Sequence, residues 1–387
     1  MDKGLRCPVY KKCGGCQLDV TYPQQLSYKM RTVIGLLGRF GHVEPIIGMD
    51  KPLHYRCKVS QAFDYSRGRV LAGVWQSSGG KLTPVENCAL EDARATEIIR
   101  TIAELATKHK IRTYDERTGK GFLRFVTVRV GKQSGEVLVA LGVGKERTPS
   151  AEWIEELVGR CPYITTVVQC VSTDRRNLVL GEQETVLYGG GQIRDTLCGC
   201  EFLLSARSFF QINPTQTEKL YAHAVEAAGL DDSQTVIDAY CGVGTIGLIA
   251  SKKAKSVTAV ELNPEAVKNA KENVRLNAAE NVRVLQGDAG VFMRKLAEAG
   301  ETADVVFTDP PRAGCSREFL VSLTALSPKR VVYISCNPET QARDLHYLTQ
   351  NGYRVTHIQP FDMFPFTTHV ESVVCLTRRL DNELPMA

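Results

Sequence analysis

From Thr235 onward, short apolar runs alternate with longer stretches whose apolar residues recur at helical spacing. The runs Thr235–Ala239, Ser256–Glu261, Asn281–Gln286, Ala303–Thr308 and Arg330–Ser335 have strand length, whereas Pro264–Asn277 and Pro338–Gln350 carry the helical period. Strands alternating with helices predict a parallel, doubly wound sheet. Beyond the last helix, Tyr353–Gln359 and His369–Arg378 follow one another with no helix between them. The loop from Pro360 to Thr368 leaves room for an antiparallel hairpin at the sheet edge. The expected domain is therefore α/β, with a mostly parallel seven-stranded sheet.

Upstream the pattern is different. Lys58–Phe63, Arg69–Trp75, Leu123–Val130, Glu136–Gly142, Thr165–Val171 and Glu201–Ser205 are β-rich, with glycine-containing turns between several of them. A helical stretch, Glu91–Lys108, interrupts them, and residues 23–40 also read as helix, with Leu26, Met30, Val33, Ile34 and Leu37 on one face. There is no internal repeat and no low-complexity linker. The main boundary falls near Ser205–Thr215, dividing a β-rich region (1–208) from the α/β region (209–387).

Length and composition fit this division. A chain of 387 residues has room for two or three cores, and 43% hydrophobic with 24% charged residues is an ordinary globular balance. No apolar run approaches the roughly 18 residues of a membrane span, and Met-Asp-Lys-Gly-Leu-Arg-Cys lacks the apolar core of a secretory signal. The expected compartment is the cytoplasm, with no membrane partner. The net charge of +5 is mild, but residues 1–125 hold 21 Lys+Arg against 12 Asp+Glu, so the remainder is slightly acidic. A basic front half suits docking to a polyanion, and an ordinary solvated surface gives the same balance.

The first chemical motif is Asp238-Ala-Tyr-Cys-Gly-Val-Gly-Thr-Ile-Gly247, which follows a strand and opens a helix. Gly242 and Gly244 permit close approach of a ligand to the backbone, and Thr245 stands at the helix start. Glu261 ends the next strand, where a carboxylate can accept from both hydroxyls of a ribose. Gly242, Gly244 and Gly247 also match the dinucleotide G-x-G-x-x-G pattern, so these residues alone leave a nicotinamide enzyme open. Asp288 after the third strand and Asp309 after the fourth favour S-adenosylmethionine, with Asp288 on the adenine amine and Asp309 beside the reacting centre. The final hairpin favours the same cofactor.

Ser335-Cys336-Asn337-Pro338 sits past the fifth strand, at the carboxyl edge where ligands bind in such sheets. A lone cysteine is usually a packing residue; this location makes Cys336 a candidate nucleophile, and the helix opening at Pro338 is expected to lower its pKa. Thiolate addition at carbon 6 of uracil makes carbon 5 able to displace a methyl group from a sulfonium. A base must then remove the carbon-5 proton. Glu371 is the candidate, His369 its rival, and a salt bridge is the plain alternative for either. Arg312, in Asp309-Pro-Pro-Arg312, suits a developing oxyanion on the ring or an RNA phosphate. An aromatic there would suit methylation of an exocyclic amine, and a cysteine directly after Asp-x-Pro would suit cytosine. Neither occurs.

Thirteen cysteines is many for a cytosolic chain, and an odd count argues against a full disulfide framework. Cys7, Cys13 and Cys16 are spaced Cys-x5-Cys-x2-Cys, and a fourth ligand must come from elsewhere. Cys88 is the nearest plausible donor and Cys57 its rival. Four thiolates suit zinc or a 4Fe–4S cluster by count. The single Cys-x2-Cys pair is atypical of zinc, and the first gap does not match radical enzymes, which favours a closed structural cluster.

Together these motifs closely resemble the RNA uracil-5 methyltransferase family, in particular its iron–sulfur members acting on large-subunit (23S) ribosomal RNA. The resemblance is carried by Cys-x5-Cys-Gly-Gly-Cys-Gln at 7–17, Ser-Phe-Phe-Gln-Ile-Asn at 208–213, Asp-Ala-Tyr-Cys-Gly-Val-Gly at 238–244, Asp-Pro-Pro-Arg at 309–312, Ser-Cys-Asn-Pro at 335–338 and His-Val-Glu at 369–371. It implies a Rossmann-like class I methyltransferase domain preceded by a β-rich central domain carrying the cluster. It implies Gln211, Tyr240, Glu261 and Asp309 as cofactor-binding residues, with Gly242, Thr245 and Asp288 completing the candidate set. It likewise implies Cys336 as nucleophile, Glu371 as base, and Cys7, Cys13, Cys16 and Cys88 as cluster ligands. The transfer-RNA branch resembles this chain less, because it lacks the cysteine cluster. Many members begin with an oligonucleotide-binding TRAM barrel, whereas this sequence starts at the cysteines. The resemblance further implies that segment 19–51 packs on the catalytic domain, and a monomer is expected. The target uridine is expected to be unpaired or flipped, with Lys11, Lys12, Arg56, Lys58, Arg67, Arg69 and Arg124 as candidate phosphate contacts.

Overall fold

The computed structural model describes residues 4, 5, 7–76, 80–144, 149–172, 178 and 180–379. A short helix α1 (Tyr10–Cys13) lies inside the cysteine-rich start, and α2 (Tyr22–Leu37) follows it. Thr21 and Gln24 form a capping box at the start of α2, with Pro23 in its first turn.

A first seven-stranded sheet comprises β1 (Lys58–Ser66), β2 (Arg69–Trp75), β3 (Leu82–Pro84), β4 (Leu123–Val130), β5 (Val137–Val143), β6 (Ile164–Val171) and β7 (Glu184–Tyr188), in the order β3-β2-β1-β4-β5-β6-β7. Its pairs are antiparallel except β5–β6. That exception requires a crossover, and α4 (Ala151–Arg160) supplies it, while α3 (Ala93–Lys108) precedes β4. β4 and β5 are buried along their whole length because both faces are covered. One face packs with Ile98, Ile102, Trp153 and Leu157 of the helices. Leu138 and Ala140 on the other face join the core of the second half through the hairpin β8 (Gln192–Leu197) and β9 (Cys200–Ser205).

The second sheet is built from β10 (Thr235–Ala239), β11 (Ser256–Glu261), β12 (Val282–Gln286), β13 (Val305–Thr308), β14 (Arg330–Ser335), β15 (Tyr353–Phe361) and β16 (Glu371–Arg378). Its order is β12-β11-β10-β13-β14-β16-β15. The first five strands are parallel, and β16 runs antiparallel between β14 and β15. The interleaved helices are α5 (Pro214–Ala227), α6 (Thr245–Ser251), α7 (Pro264–Leu276), α8 (Ala289–Glu298), α9 (Arg317–Leu326) and α10 (Pro338–Gln350). Strand order reverses between β10 and β13, which opens a crevice at the carboxyl ends of the strands.

Val33 and Leu37 of α2 join the core on one face of this second sheet, beside Leu345 of α10 and Val374 of β16. The face of α2 differs from the sequence expectation. Its buried residues are Gln25, Lys29, Val33 and Leu37, and Ile34 is exposed. Polar residues occupy core positions because their partners lie in the loop after β15, too distant in sequence for a local apolar pattern to reveal. Among the described residues no helix is long and apolar enough to cross a membrane.

Candidate active site

A cavity of about 750 Å³ opens over the carboxyl ends of β10, β11, β13 and β14. The strand–turn–helix at 238–247 forms its floor. Tyr240 has φ +62°, and Gly242 and Gly244 have φ +55° and +85°, a left-handed run that lets the backbone curl under a ligand. A Cβ on Gly242 would meet nothing within 4 Å, so that cradle is open. Gly247 serves a different purpose. Its N–H donates to Asp238 at 2.7 Å, and a Cβ there would stand 2.9 Å from the same carboxylate. The third glycine of the dinucleotide-like pattern is thus explained by packing against a buried acid. Burial pushes Asp238 up to about 7, and its Oδ1 has no partner.

Glu261 ties the floor to the wall. One of its oxygens accepts from Gly242 N at 3.0 Å and the other from Asn263 N at 2.8 Å. Gln211, Tyr240, Gly242, Thr245, Glu261 and Asp309 all line the cavity. Asp288 is not in its lining; it is exposed and caps α8, accepting from Val291 N at 2.9 Å. Phe209 was quoted only as part of a motif, yet it lines the cavity while 69% exposed, an aromatic face open at the mouth.

The reacting end of the cavity holds Cys336, Asp309, Arg312, His369 and Glu371. Ser335 of β14 pairs with Ser372 of β16, so Cys336 and Glu371 leave adjacent antiparallel strands at one level. Asn337 Nδ2 and Thr340 Oγ1 both donate to Arg312 O, at 3.1 and 3.2 Å, joining the Asp-Pro-Pro-Arg loop to the Cys336 turn. Glu371 is 3% exposed, and burial followed by the nearby Asp309 pushes it up to about 8, against the pull of Arg312. Asp309 is raised to about 7 by burial. His369 is lowered by burial and by Arg312, which favours the neutral ring.

The helix following Cys336 does not depress its pKa as expected. Burial, then Glu371 and Asp309, raise the thiol to about 11, and Arg312 only partly offsets them. Asn337 caps α10 itself, accepting from Glu339 N at 3.2 Å, so nearby carboxylates outweigh the helix end.

The family model for tRNA (uracil-5-)-methyltransferases matches residues 193–379. An uncharacterized RNA methyltransferase of Halalkalibacterium halodurans is 42% identical over 377 residues, covering 96% of this chain and 82% of the relative. The chain belongs to the RNA uracil-5 methyltransferase family. An uncharacterized RNA methyltransferase of Clostridium acetobutylicum is 39% identical, over 96% of this chain and 83% of its own length. The fold matches the Pyrococcus abyssi tRNA (uracil-54, C5)-methyltransferase, whose structure holds S-adenosyl-L-homocysteine. That similarity has a TM-score of 0.77 at 26% identity, over 93% of this chain and 84% of the other. A family enzyme of this kind uses S-adenosylmethionine, and the cavity floor provides open backbone and a carboxylate to receive it.

The cysteine-rich start forms a second feature. Cys16 is raised to about 12 by burial, then by Cys88, with Cys13 and Cys7 adding to it and Arg56 opposing. Cys16 and Cys88 both pack against the small core of Met49, Tyr55, Leu90 and Phe366, with Cys7 and Cys13 near enough to act on Cys16 electrostatically. The rival Cys57 lies apart, its thiol pointing at Gln211 O (3.6 Å), and its neighbours are Arg129, Asp195 and Lys132. Among the described residues, no three His, Cys, Asp or Glu side chains are grouped so as to hold a metal ion.

Of the candidate phosphate contacts, Arg124 is buried, with Nε on Glu116 and NH1 on Ser172 at 2.7 Å. It is committed to the fold and is not a surface contact. Arg56 lines the cavity.

Proposed function

We propose that this chain methylates carbon 5 of a uridine in 23S ribosomal RNA through a covalent bond from Cys336 to carbon 6. The observation that carries the reading is the pairing of Ser335 with Ser372, which sets Cys336 and Glu371 side by side at the end of the cavity. In the proposed division, residues 1–208 grip RNA and residues 209–387 hold the chemistry. S-adenosylmethionine, when bound, supplies the methyl group as an electrophilic sulfonium.

The Cys336 thiol gives its proton by way of a neighbouring carboxylate to solvent, leaving Glu371 ionised, as sulfur bonds to carbon 6 and electron density moves through carbon 5 to the carbonyl oxygen on carbon 4. Arg312 faces that developing charge. Carbon 5 then forms its bond to the methyl carbon as the sulfonium–methyl bond breaks and the neutral thioether leaves. Glu371 removes the carbon-5 proton, the electron pair re-forms the ring double bond, and the Cys336 sulfur leaves. Burial serves this order of events. Once ionised, a carboxylate whose proton affinity is raised by burial accepts a carbon-bound proton better than a solvated one does. Phe209 at the mouth offers a face for a base taken out of its stack.

Cys7, Cys13, Cys16 and Cys88 would hold a structural 4Fe–4S cluster. What supports the reading is the Cys-x5-Cys-x2-Cys spacing, with Cys16 and Cys88 packed on one small core and Arg56 near Cys16 to balance negative charge.

Mass-spectrometric mapping of 5-methyluridine in RNA from a strain lacking this gene tests the proposal. Loss of one or two 5-methyluridines from 23S RNA is expected, restored by the intact gene and not by Cys336→Ala. Transfer RNA is the second reading, favoured by the matched Pyrococcus abyssi fold. Loss confined to transfer RNA would establish it instead.

A further inference from the structure

The loop between β15 and β16 carries Phe364 and His369 into the cavity and delivers Glu371 to its place. Its own domain anchors it at Met363, whose carbonyl accepts from Asn213 Nδ2 at 2.8 Å, and the N-terminal segment supplies a further set of contacts. Asp362 N donates to Ile47 O at 2.9 Å, and Tyr55 OH donates to Pro365 O at 3.0 Å. Gln17 N and Leu18 N both donate to Phe366 O, and Phe366 N donates to Gln25 Oε1 at 2.7 Å. Phe366 is 1% exposed with φ +68°, a backbone state that a bulky residue keeps only when its surroundings impose it.

At the centre of these contacts lies a buried ion pair. Lys29 Nζ stands 2.5 Å from Asp362 Oδ1 and 2.9 Å from Phe364 O, and both side chains are 0% exposed. Lys29 sits at a core position of α2, on the same face as Val33 and Leu37. Asp362 Oδ2 has no hydrogen-bond partner, so Lys29 is the cation that neutralises this carboxylate. A charge in such a place is strongly disfavoured without its partner, so the pair holds its geometry tightly.

We propose that Lys29, through its bonds to Asp362 and Phe364, is a positioning residue that sets the Glu371 loop for proton removal. The inference rests on the proposed role of Glu371. Helix α2 thereby acts on chemistry carried by residues more than 300 positions later. A misplacement of about 1 Å in a catalytic group can cost roughly 100-fold in rate, so the effect should be large and should fall on the chemical step.

The test compares wild type, Lys29→Met, Lys29→Arg and Asp362→Asn as full chains. Three quantities are read: tritium transfer from labelled S-adenosylmethionine to total RNA of a strain lacking the gene, affinity for S-adenosylhomocysteine, and hydrogen exchange of residues 362–370. Lys29→Met should lower kcat about 100-fold, with RNA KM and S-adenosylhomocysteine affinity within about threefold. Lys29→Arg should recover at least tenfold of that loss, and Asp362→Asn should resemble Lys29→Met. The amide of Phe366 should lose protection in Lys29→Met while β16 keeps it. A kcat within threefold of wild type, or a loss matched by an equal loss of S-adenosylhomocysteine binding, would overturn the proposal. If the wild type itself transfers no methyl to uridine, the proposed function fails, and loop exchange still decides the clamp: unchanged protection in Lys29→Met would refute it.

Discussion

Cys336 and Cys16 are both half-buried thiols raised well above the ordinary cysteine range, to about 11 and about 12, and burial is the leading cause in each. Their other neighbours differ. Around Cys336 stand Glu371, Asp309 and Arg312; around Cys16 stand Cys88, Arg56, Cys13 and Cys7. A thiol among carboxylates has groups at hand to take its proton, so it suits transient bonding to a substrate. A thiol among thiols has no such acceptor, which suits the ligand role proposed for it rather than transient bonding. The direction of a pKa shift does not separate a nucleophile from a ligand; the identity of the neighbours does.

The contrast can be broken from either side. The largest effect is expected for Cys336→Ala, which should reduce methyl transfer at least about 1000-fold in a tritium assay while leaving S-adenosylhomocysteine affinity within about threefold. Next comes Glu371→Gln. Turnover should fall about 100- to 10,000-fold, and a Cys336–RNA adduct should accumulate on ordinary RNA because the carbon-5 proton stays in place.

That variant also carries a pH signature. Glu371 moves from 4.5 to about 8 on folding, so between these values the folded state binds more protons than the unfolded state. Its contribution to stability is therefore present in full below about pH 4.5 and lost as pH rises toward 8. Glu371→Gln should stabilise the protein more at pH 8 than at pH 5, as measured by urea unfolding; an equal change at both would remove the buried-acid argument.

On the other side of the comparison, Cys16→Ser should abolish bound iron and visible absorption and lower Tm by about 5 °C, the shift expected for roughly 2 kcal/mol in a domain of this size. S-adenosylhomocysteine affinity should stay within about threefold. The smallest effect is expected for Asp288→Ala. As a helix cap it should cost about 1 kcal/mol of stability, with cofactor affinity nearly unchanged; a tenfold loss of affinity would restore an adenine contact.

Much of the catalytic half was legible in sequence because its signals are local. Ser256–Glu261 and Arg330–Ser335 have strand patterns between turn residues, and both strands end where expected, placing Glu261 and Cys336 at the rim. What was missed depends on partners far away in the chain. The α2 stripe was read from apolar residues, yet Lys29 and Gln25 are buried against Asp362 and Phe366. The pKa of Cys336 was misjudged for the same reason, since Glu371 approaches only through strand pairing. That Asp288 also caps α8 shows only in the structure, where it accepts from Val291 N. The surroundings of Cys57 likewise needed the fold, which turns its thiol toward Gln211 O.

The central claim is a covalent bond between Cys336 and the pyrimidine, and 5-fluorouridine-substituted 23S and transfer RNA transcripts test it directly. Fluorine cannot leave as a proton, so incubation with S-adenosylmethionine should yield a denaturation-resistant protein–RNA complex whose cross-linked peptide contains Cys336. A complex mapped to another residue, or methylation of ordinary RNA by Cys336→Ala at the wild-type rate, would contradict the mechanism.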